Sequence, residues 1–226
     1  MKLSVLMPIF NESLSIVAVV ERVKAVPLDK EIILVDDAST DGTSDLINKL
    51  ASDNLKVIHH VTNQGKGAAI RTALKAATGD VIVIQDADFE YDPGDLPRLM
   101  TPITEGKAEV VYGVRPLESQ KLIMRLGNRF ITFVTNVLYG QSLQDVETCY
   151  KMMGRALALS LDLECRRFDI ETEITAKLLR SGYTIYEIPI SYAPRYHNKK
   201  LSPIDGLPAL RALLQYYRWK PPAQYR

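Results

Sequence analysis

The sequence predicts an α/β fold with a mostly parallel central sheet covered by helices on both faces. Three observations carry this reading. In the first half of the chain, short apolar runs alternate with stretches of helical periodicity, the pattern of strands joined by helical crossovers. The run Val81, Ile82, Val83, Ile84 is apolar without interruption, as a strand buried on both sides is. Acids follow the ends of such runs, at Asp36 and Asp37 and again at Asp86 and Asp88, where open α/β sheets take their ligands.

Taken in order, residues Leu3–Ile9 read as the first strand, and Asn11 is placed to cap a helix whose inward face includes Leu14, Val17 and Val20. Residues 31–35 form a second strand, residues 43–50 a short helix and residues 55–59 a third strand. The loop Asn63, Gln64, Gly65, Lys66, Gly67 opens an alanine-rich helix over 68–77, which leads to the strand at Val81. Beyond Asp88 the spacing predicts a helix from Asp95, a strand over 109–114 and a long helix over 121–139. A strand over 150–153, helices over 155–161 and 170–180, β structure within 183–192 and a final amphipathic helix over 206–217 complete the chain. Gly182 suits the end of the penultimate helix, and the stretch from Pro194 to Pro203 reads as a mobile loop.

At 226 residues and 46% hydrophobic, the chain is expected to be one domain, residues 1–226. A net charge of +1 argues against a dedicated nucleic-acid binder. The exception is the C-terminal segment, where Arg195, His197, Lys199, Lys200, Arg211, Arg218, Lys220 and Arg226 suit an anionic ligand or a membrane surface, or else a solvated tail. Cys149 and Cys165 lack metal-ligand spacing and read as reduced packing residues of a cytoplasmic protein. No stretch reaches the roughly 20 apolar residues that cross a bilayer, so the expected location is cytoplasmic, at most peripheral on the membrane face.

Alternation along a strand puts Asp86 and Asp88 on one side, close enough to share a divalent ion, and Glu90 keeps the same parity. An isolated Asp-X-Asp is more often a polar turn, here before Pro93 and Gly94. The long helix also has two readings. Leu122, Leu126, Phe130, Phe133, Val137 and Leu138 at helical spacing ordinarily pack into a core. Yet Phe130, Ile131, Phe133, Val134 and Val137, flanked by Lys121, Arg125 and Arg129, would also suit a helix lying on a bilayer and admitting a lipid chain.

Together the segments SVLMPIFNE, ILVDDASTDGT, NQGKGAAIRTAL and IVIQDADFEYDP resemble, in order and spacing, the family 2 glycosyltransferases of GT-A fold. The later segments YGVR, DVETCYKMM and IETEITAKLLRSGYTIYEIPISY are similar to the branch that includes dolichol-phosphate mannosyltransferase and bacterial polyprenyl-phosphate relatives. Many of those relatives have another residue in place of Glu90, and several carry transmembrane helices after the catalytic domain. The resemblance implies a nucleotide-sugar-binding half (1–115), an acceptor half (116–226), and an inverting, metal-dependent transfer of a sugar from a GDP- or UDP-linked donor, with a polyprenyl phosphate as acceptor. It implies that Pro8, Phe10 and Glu12 line the nucleotide site, that Asp37 meets the base, and that Lys66 meets the base or the phosphates. Asp86 and Asp88, with Glu90, would hold Mg²⁺ or Mn²⁺ against the diphosphate, and Arg115 and Arg195 would grip phosphate. Asp145 falls where family members carry an acid near the acceptor, to act as base for a hydroxyl or only to orient a phosphate, with Glu147 as a possible substitute. A hydroxyl acceptor in polysaccharide or glycoconjugate synthesis, and a non-catalytic nucleotide-sugar-binding module, remain alternatives. A homodimer or a membrane partner is compatible with either.

Overall fold

The computed structural model describes residues 1–195 and 206–221. Seven strands form one sheet in the order β3-β2-β1-β4-β6-β5-β7. They are β1 (Leu3–Ile9), β2 (Lys30–Asp36), β3 (Leu55–His59), β4 (Val81–Ile84), β5 (Val110–Val114), β6 (Lys151–Gly154) and β7 (Ile185–Pro189). All neighbours run parallel except β6, which is antiparallel to both β4 and β5. That reversal sends the start of β6 to the same sheet edge at which the parallel strands end.

The helices are α1 (Ile16–Ala25), α2 (Thr43–Asn48), α3 (Lys66–Ala76), α4 (Leu96–Thr104), α5 (Leu122–Tyr139), α6 (Arg155–Ser160), α7 (Ile170–Arg180) and α8 (Gly206–Tyr216). Along β2 and β4 nearly every residue is buried, so consecutive side chains on opposite faces are both covered. Leu3, Val5, Leu6, Met7, Ile33, Leu34, Val35 and Val83 are fully enclosed in this core, each worth roughly 1.5–3 kcal/mol of apolar burial.

Four expectations change. The helix after β1 starts at Ile16 and Asn11 does not cap it; Asn11 instead adopts φ 50° and accepts from the Thr40 amide. With the later start the inward face becomes Ile16, Val19, Val20 and Val23, while Leu14 is 91% exposed. The helix expected from Ala68 begins at Lys66. On α5 the apolar stripe points out: Leu122, Leu126, Phe130, Phe133 and Val137 are all more than half exposed, and the buried side is Asn128, Ile131, Thr132 and Thr135. Finally, β4 stops at Ile84, so Asp86 and Asp88 lie in a turn rather than on strand positions of matching parity. Of the expected loop and basic tail, residues 196–205, with His197, Lys199, Lys200 and Pro203, and residue Arg226 lie outside the described residues.

One buried acid ties the parallel half together. Glu31, at the start of β2, accepts from Ser4 Oγ (2.7 Å), Thr78 Oγ1 (2.9 Å), the Gly79 amide (3.1 Å) and Lys56 Nζ (3.3 Å). Burial alone would raise its carboxyl, but the hydrogen bonds from Ser4 and Thr78 prevail and lower it to about 2. The folded value lies below the ordinary 4.5, so this contribution is fully present above pH 4.5 and is lost as pH falls towards 2. Glu31→Gln is expected to cost about 3 kcal/mol at neutral pH and to flatten the acid limb of the stability curve over that window, checked by urea unfolding at several pH values.

Candidate active site

A cavity of about 340 Å³ opens at the carboxyl edge of the sheet. Each wall has its own element. The end of β1 supplies Pro8, Phe10 and Glu12; the end of β2 supplies Asp37; the turn after β4 supplies Asp86, Asp88 and Glu90; and the end of β5 supplies Arg115. Antiparallel β6 is preceded on the same side by Glu147 and Cys149, and the starts of α3 and α7 add Lys66 and Glu171. The non-glycine residues Asn11 (φ 50°) and Ala38 (φ 62°) take left-handed backbone at the tips of β1 and β2, strain of the kind found at working sites.

One wall is a chain of ion pairs. Lys66 Nζ lies 2.8 Å from Asp86 Oδ1 and 3.0 Å from Glu171 Oε1, and Lys151 Nζ meets the other Glu171 oxygen at 3.1 Å. Burial works against the Lys66 ammonium, but Asp86 and Glu171 overcome it and hold its pKa well above the ordinary range. Lys151 is wholly enclosed, donates to the Val146 carbonyl (2.8 Å) and lies 4.6 Å from the centre of the Tyr112 ring.

Asp37 lines the cavity and also organises it. Its carboxylate faces His60 Nδ1 at 2.7 Å and accepts from the amides of Gln64 (2.9 Å) and Gly65 (2.7 Å), which fixes the loop that starts α3. A carboxylate has about four lone-pair sites, so one acceptor position remains for a ligand.

Asp88 is crowded. Burial first, then Asp86 and Glu90, push its carboxyl up to about 7, although Arg195 opposes them with Nη2 at 3.3 Å. Arg195 also makes a two-pronged contact with Glu12, at 2.9 and 3.0 Å. Glu90 sits in the same wall but latches a neighbouring segment, accepting from Tyr192 Oη (2.7 Å) and the Arg195 amide (3.0 Å). It was expected beside Asp86 and Asp88 as a third cation ligand; among the described residues no three acids, histidines or cysteines are gathered as a ready cage. Asp86 and Asp88 alone fit a hard cation that keeps most of its ligands as water and substrate oxygen, and their mutual repulsion favours one.

Asp145 is placed differently from a base. It is fully buried, is not among the cavity-lining residues, and its two oxygens take Arg115 Nε at 2.6 Å and Nη2 at 2.8 Å. Asn128 of α5 approaches it at 3.4 Å. A carboxylate so engaged orients Arg115, whose guanidinium also lies 5.4 Å from the centre of the Tyr192 ring. The Cys149 thiol, raised by burial first and then by Asp86, donates to the Ile84 carbonyl and is a packing group.

Sequence reasoning missed Glu171, Lys151, Arg167 and Phe168, the last two of which also line the cavity. One signal was available: Lys151 interrupts an apolar strand, and a lysine there requires a buried acid.

Residues 4–159 match the sequence profile described as glycosyl transferase family 2. The chain is 30% identical to the low-salt glycan biosynthesis hexosyltransferase Agl6 of Haloferax volcanii, over 94% of this chain but 53% of that protein, so it spans about half that relative's length. It is 27% identical to the undecaprenyl-phosphate mannosyltransferase of Micrococcus luteus, covering 97% of this chain and 94% of that one. Among solved structures, glucosyl-3-phosphoglycerate synthase from Mycobacterium tuberculosis in complex with uridine diphosphate has a TM-score of 0.77 at 21% identity, over 98% of this chain and 82% of that one. The same enzyme in complex with Mn²⁺, UDP-glucose and phosphoglyceric acid gives 0.74. These likenesses show the shared GT-A fold.

The seat of α3 against the loop before α7 leaves no room for a methyl group. A Cβ on Gly67 would lie 2.6 Å from the Cys165 carbonyl oxygen and 2.9 Å from the Arg166 carbonyl carbon, both backbone atoms. Gly67→Ala is expected to lower the melting temperature by about 5 °C or more in differential scanning calorimetry.

Proposed function

This chain belongs to glycosyl transferase family 2, and we propose that it transfers a hexose, with inversion, from a nucleoside diphosphate sugar to a polyprenyl phosphate at a membrane surface. The observation that carries the donor half is the convergence of Asp37, Lys66, Asp86 and Asp88 on one cavity. Pro8, Phe10 and Glu12 wall the nucleotide, Asp37 offers its remaining lone pair to a base N–H, and Lys66 faces the diphosphate. Asp86 and Asp88 would hold Mg²⁺ or Mn²⁺, as the Mn²⁺ complex of the mycobacterial synthase supports. Such an ion, when bound, stabilises the negative charge that builds on the departing diphosphate. Arg195, held by Glu12 beside Asp88, would grip the phosphates from that side.

In the transfer, an acceptor oxygen attacks the anomeric carbon as the bond to the β-phosphate oxygen breaks, and the electron pair leaves with the nucleoside diphosphate. An anionic phosphate needs no strong base, which agrees with an Asp145 held by Arg115 rather than free. Arg115, held in place by Asp145, is then the group that binds the acceptor phosphate.

The lipid half rests on α5. Its polar side grips the segment before β6: Thr132 Oγ1 accepts from the Val146 amide (3.3 Å), and Asn136 brackets Leu143 at 2.9 Å on both sides. Its apolar side therefore faces outward, with Phe133 63% exposed, and the exposed Lys121 at its N-cap and Arg129 within it complement an anionic bilayer. No helix among the described residues is long and apolar enough to cross a membrane. The likeness to the undecaprenyl-phosphate mannosyltransferase over nearly its whole length supports the same acceptor class.

Three outcomes are expected. In a thermal-shift screen with Mn²⁺, one UDP- or GDP-sugar raises the melting temperature, and the same donor supports transfer to a polyprenyl phosphate; no shift with any donor rejects the donor half. Asp88→Asn, by removing a crowded charge, stabilises the ligand-free protein by about 2–4 °C yet lowers turnover at least about a hundredfold. Phe130→Glu with Phe133→Glu lowers co-sedimentation with phosphatidylglycerol vesicles at least about tenfold while donor binding is kept. Unchanged vesicle binding, or loss of a dimer in its place, assigns the stripe to another partner.

A further inference from the structure

Around the cavity each acid but one has a partner. Asp37 has His60 and the Gly65 amide, Asp86 has Lys66, Asp88 and Glu12 have Arg195, Glu90 has Tyr192, Glu171 has two lysines, and Asp145, just behind the wall, has Arg115. Glu147 has none among the described residues: it lines the cavity, its Oε1 is sealed from solvent without a hydrogen bond, and it takes part in no ion pair. An enclosed carboxyl oxygen left so is costly unless a ligand completes it.

We propose that Glu147 is the acceptor-selecting contact, a carboxylic acid that donates its proton in a hydrogen bond to a phosphate oxygen of the acceptor while Arg115 binds the same phosphate from the side of β5. The proposal rests on the polyprenyl-phosphate reading and deepens it. The proton stays on Glu147 throughout; no bond to it forms or breaks. An ionised Glu147 would repel a phosphate, whereas the acid form supplies the one donor that an anionic acceptor lacks on that wall.

The surroundings favour the acid form. Burial first pushes the Glu147 carboxyl up to about 7, Glu171 and Asp145 act in the same sense, and Lys151 and Arg115 oppose them. These are the charged groups that face it from α7, from the segment before β6, from β6 itself and from the end of β5. A hydroxyl acceptor would require the opposite state, an ionised Glu147 that takes a proton during attack. The two roles therefore predict opposite results for one isosteric change.

Glu147→Gln keeps the shape and carries a permanent N–H donor. With the full chain, its sugar donor, Mn²⁺ and a short-chain polyprenyl phosphate, Glu147→Gln is expected to hold kcat within about threefold of the parent. Glu147→Ala should raise the acceptor KM about tenfold to a hundredfold with donor affinity unchanged. In the parent the acceptor KM climbs as pH rises past about 7, the value to which the Glu147 carboxyl is raised; in Glu147→Gln that climb is absent. The second ionisation of the phosphate is common to both proteins and cancels in their ratio. A drop in kcat of a hundredfold or more in Glu147→Gln, with a melting temperature equal to the parent's, overturns the proposal in favour of a base. An acceptor KM unchanged in Glu147→Ala overturns it as well. Should Glu147→Gln not fold, Glu147→Asp, which retracts the carboxyl by one methylene, must show the raised acceptor KM or the proposal fails. A parent enzyme that uses hydroxyl acceptors but no polyprenyl phosphate is a separate result, seen before any variant is made, and it removes the function reading together with this one.

Discussion

The carboxylate of Glu171, held between Lys66 and Lys151, is the interaction on which the candidate site depends. It joins three elements far apart in sequence, the starts of α3 and α7 and the first residue of β6, and through Lys66 it reaches Asp86. Buried ion pairs contribute little net stability, because desolvating each ion offsets most of the attraction. Their effect here is positional. With both lysines directed at one acid, that wall has a single low-energy arrangement, and removal of Glu171 would leave two buried cations without their shared counter-charge.

That wall stands against a second cluster in which charge is left in excess. Asp86, Asp88 and Glu90 lie within five residues, and among the described residues the cations paired with them are Lys66 and Arg195. The fold accepts this crowding, and the left-handed backbone at Asn11 and Ala38, at the edge where a ligand would relieve it. Stability is thus concentrated in the apolar strands and in Glu31, away from the cavity, while the rim stays electrostatically unfinished until something binds.

The fold was legible wherever periodicity and burial agree. The apolar runs of β1 to β4, with polar groups at their carboxyl ends, placed Pro8, Glu12, Asp37, Asp86 and Asp88 at one edge, and the structure gathers all of them into one cavity. What was not legible came from long-range pairing. Nothing local to β6 says that it runs antiparallel, and without that reversal Glu147 and Lys151 have no place in the site. Asp145 carries no sign in the sequence that Arg115, thirty positions earlier, will occupy both its oxygens. The apolar stripe of α5 was visible as a pattern, but a pattern has no inside or outside; the hydrogen bonds of Asn128, Thr132 and Asn136 decided which side was which.

The orientation of α5 carries a consequence for how this chain can drift. Outward positions such as Leu122, Leu126 and Phe133 answer only to greasiness, so leucine, isoleucine, methionine or phenylalanine can trade places there without repacking anything. Inward positions answer to bond direction, and Asn128, Thr132 and Asn136 can each be filled by very few side chains. The helix therefore inverts the usual rule for a water-soluble protein, in which the apolar face is the one held fixed by its neighbours.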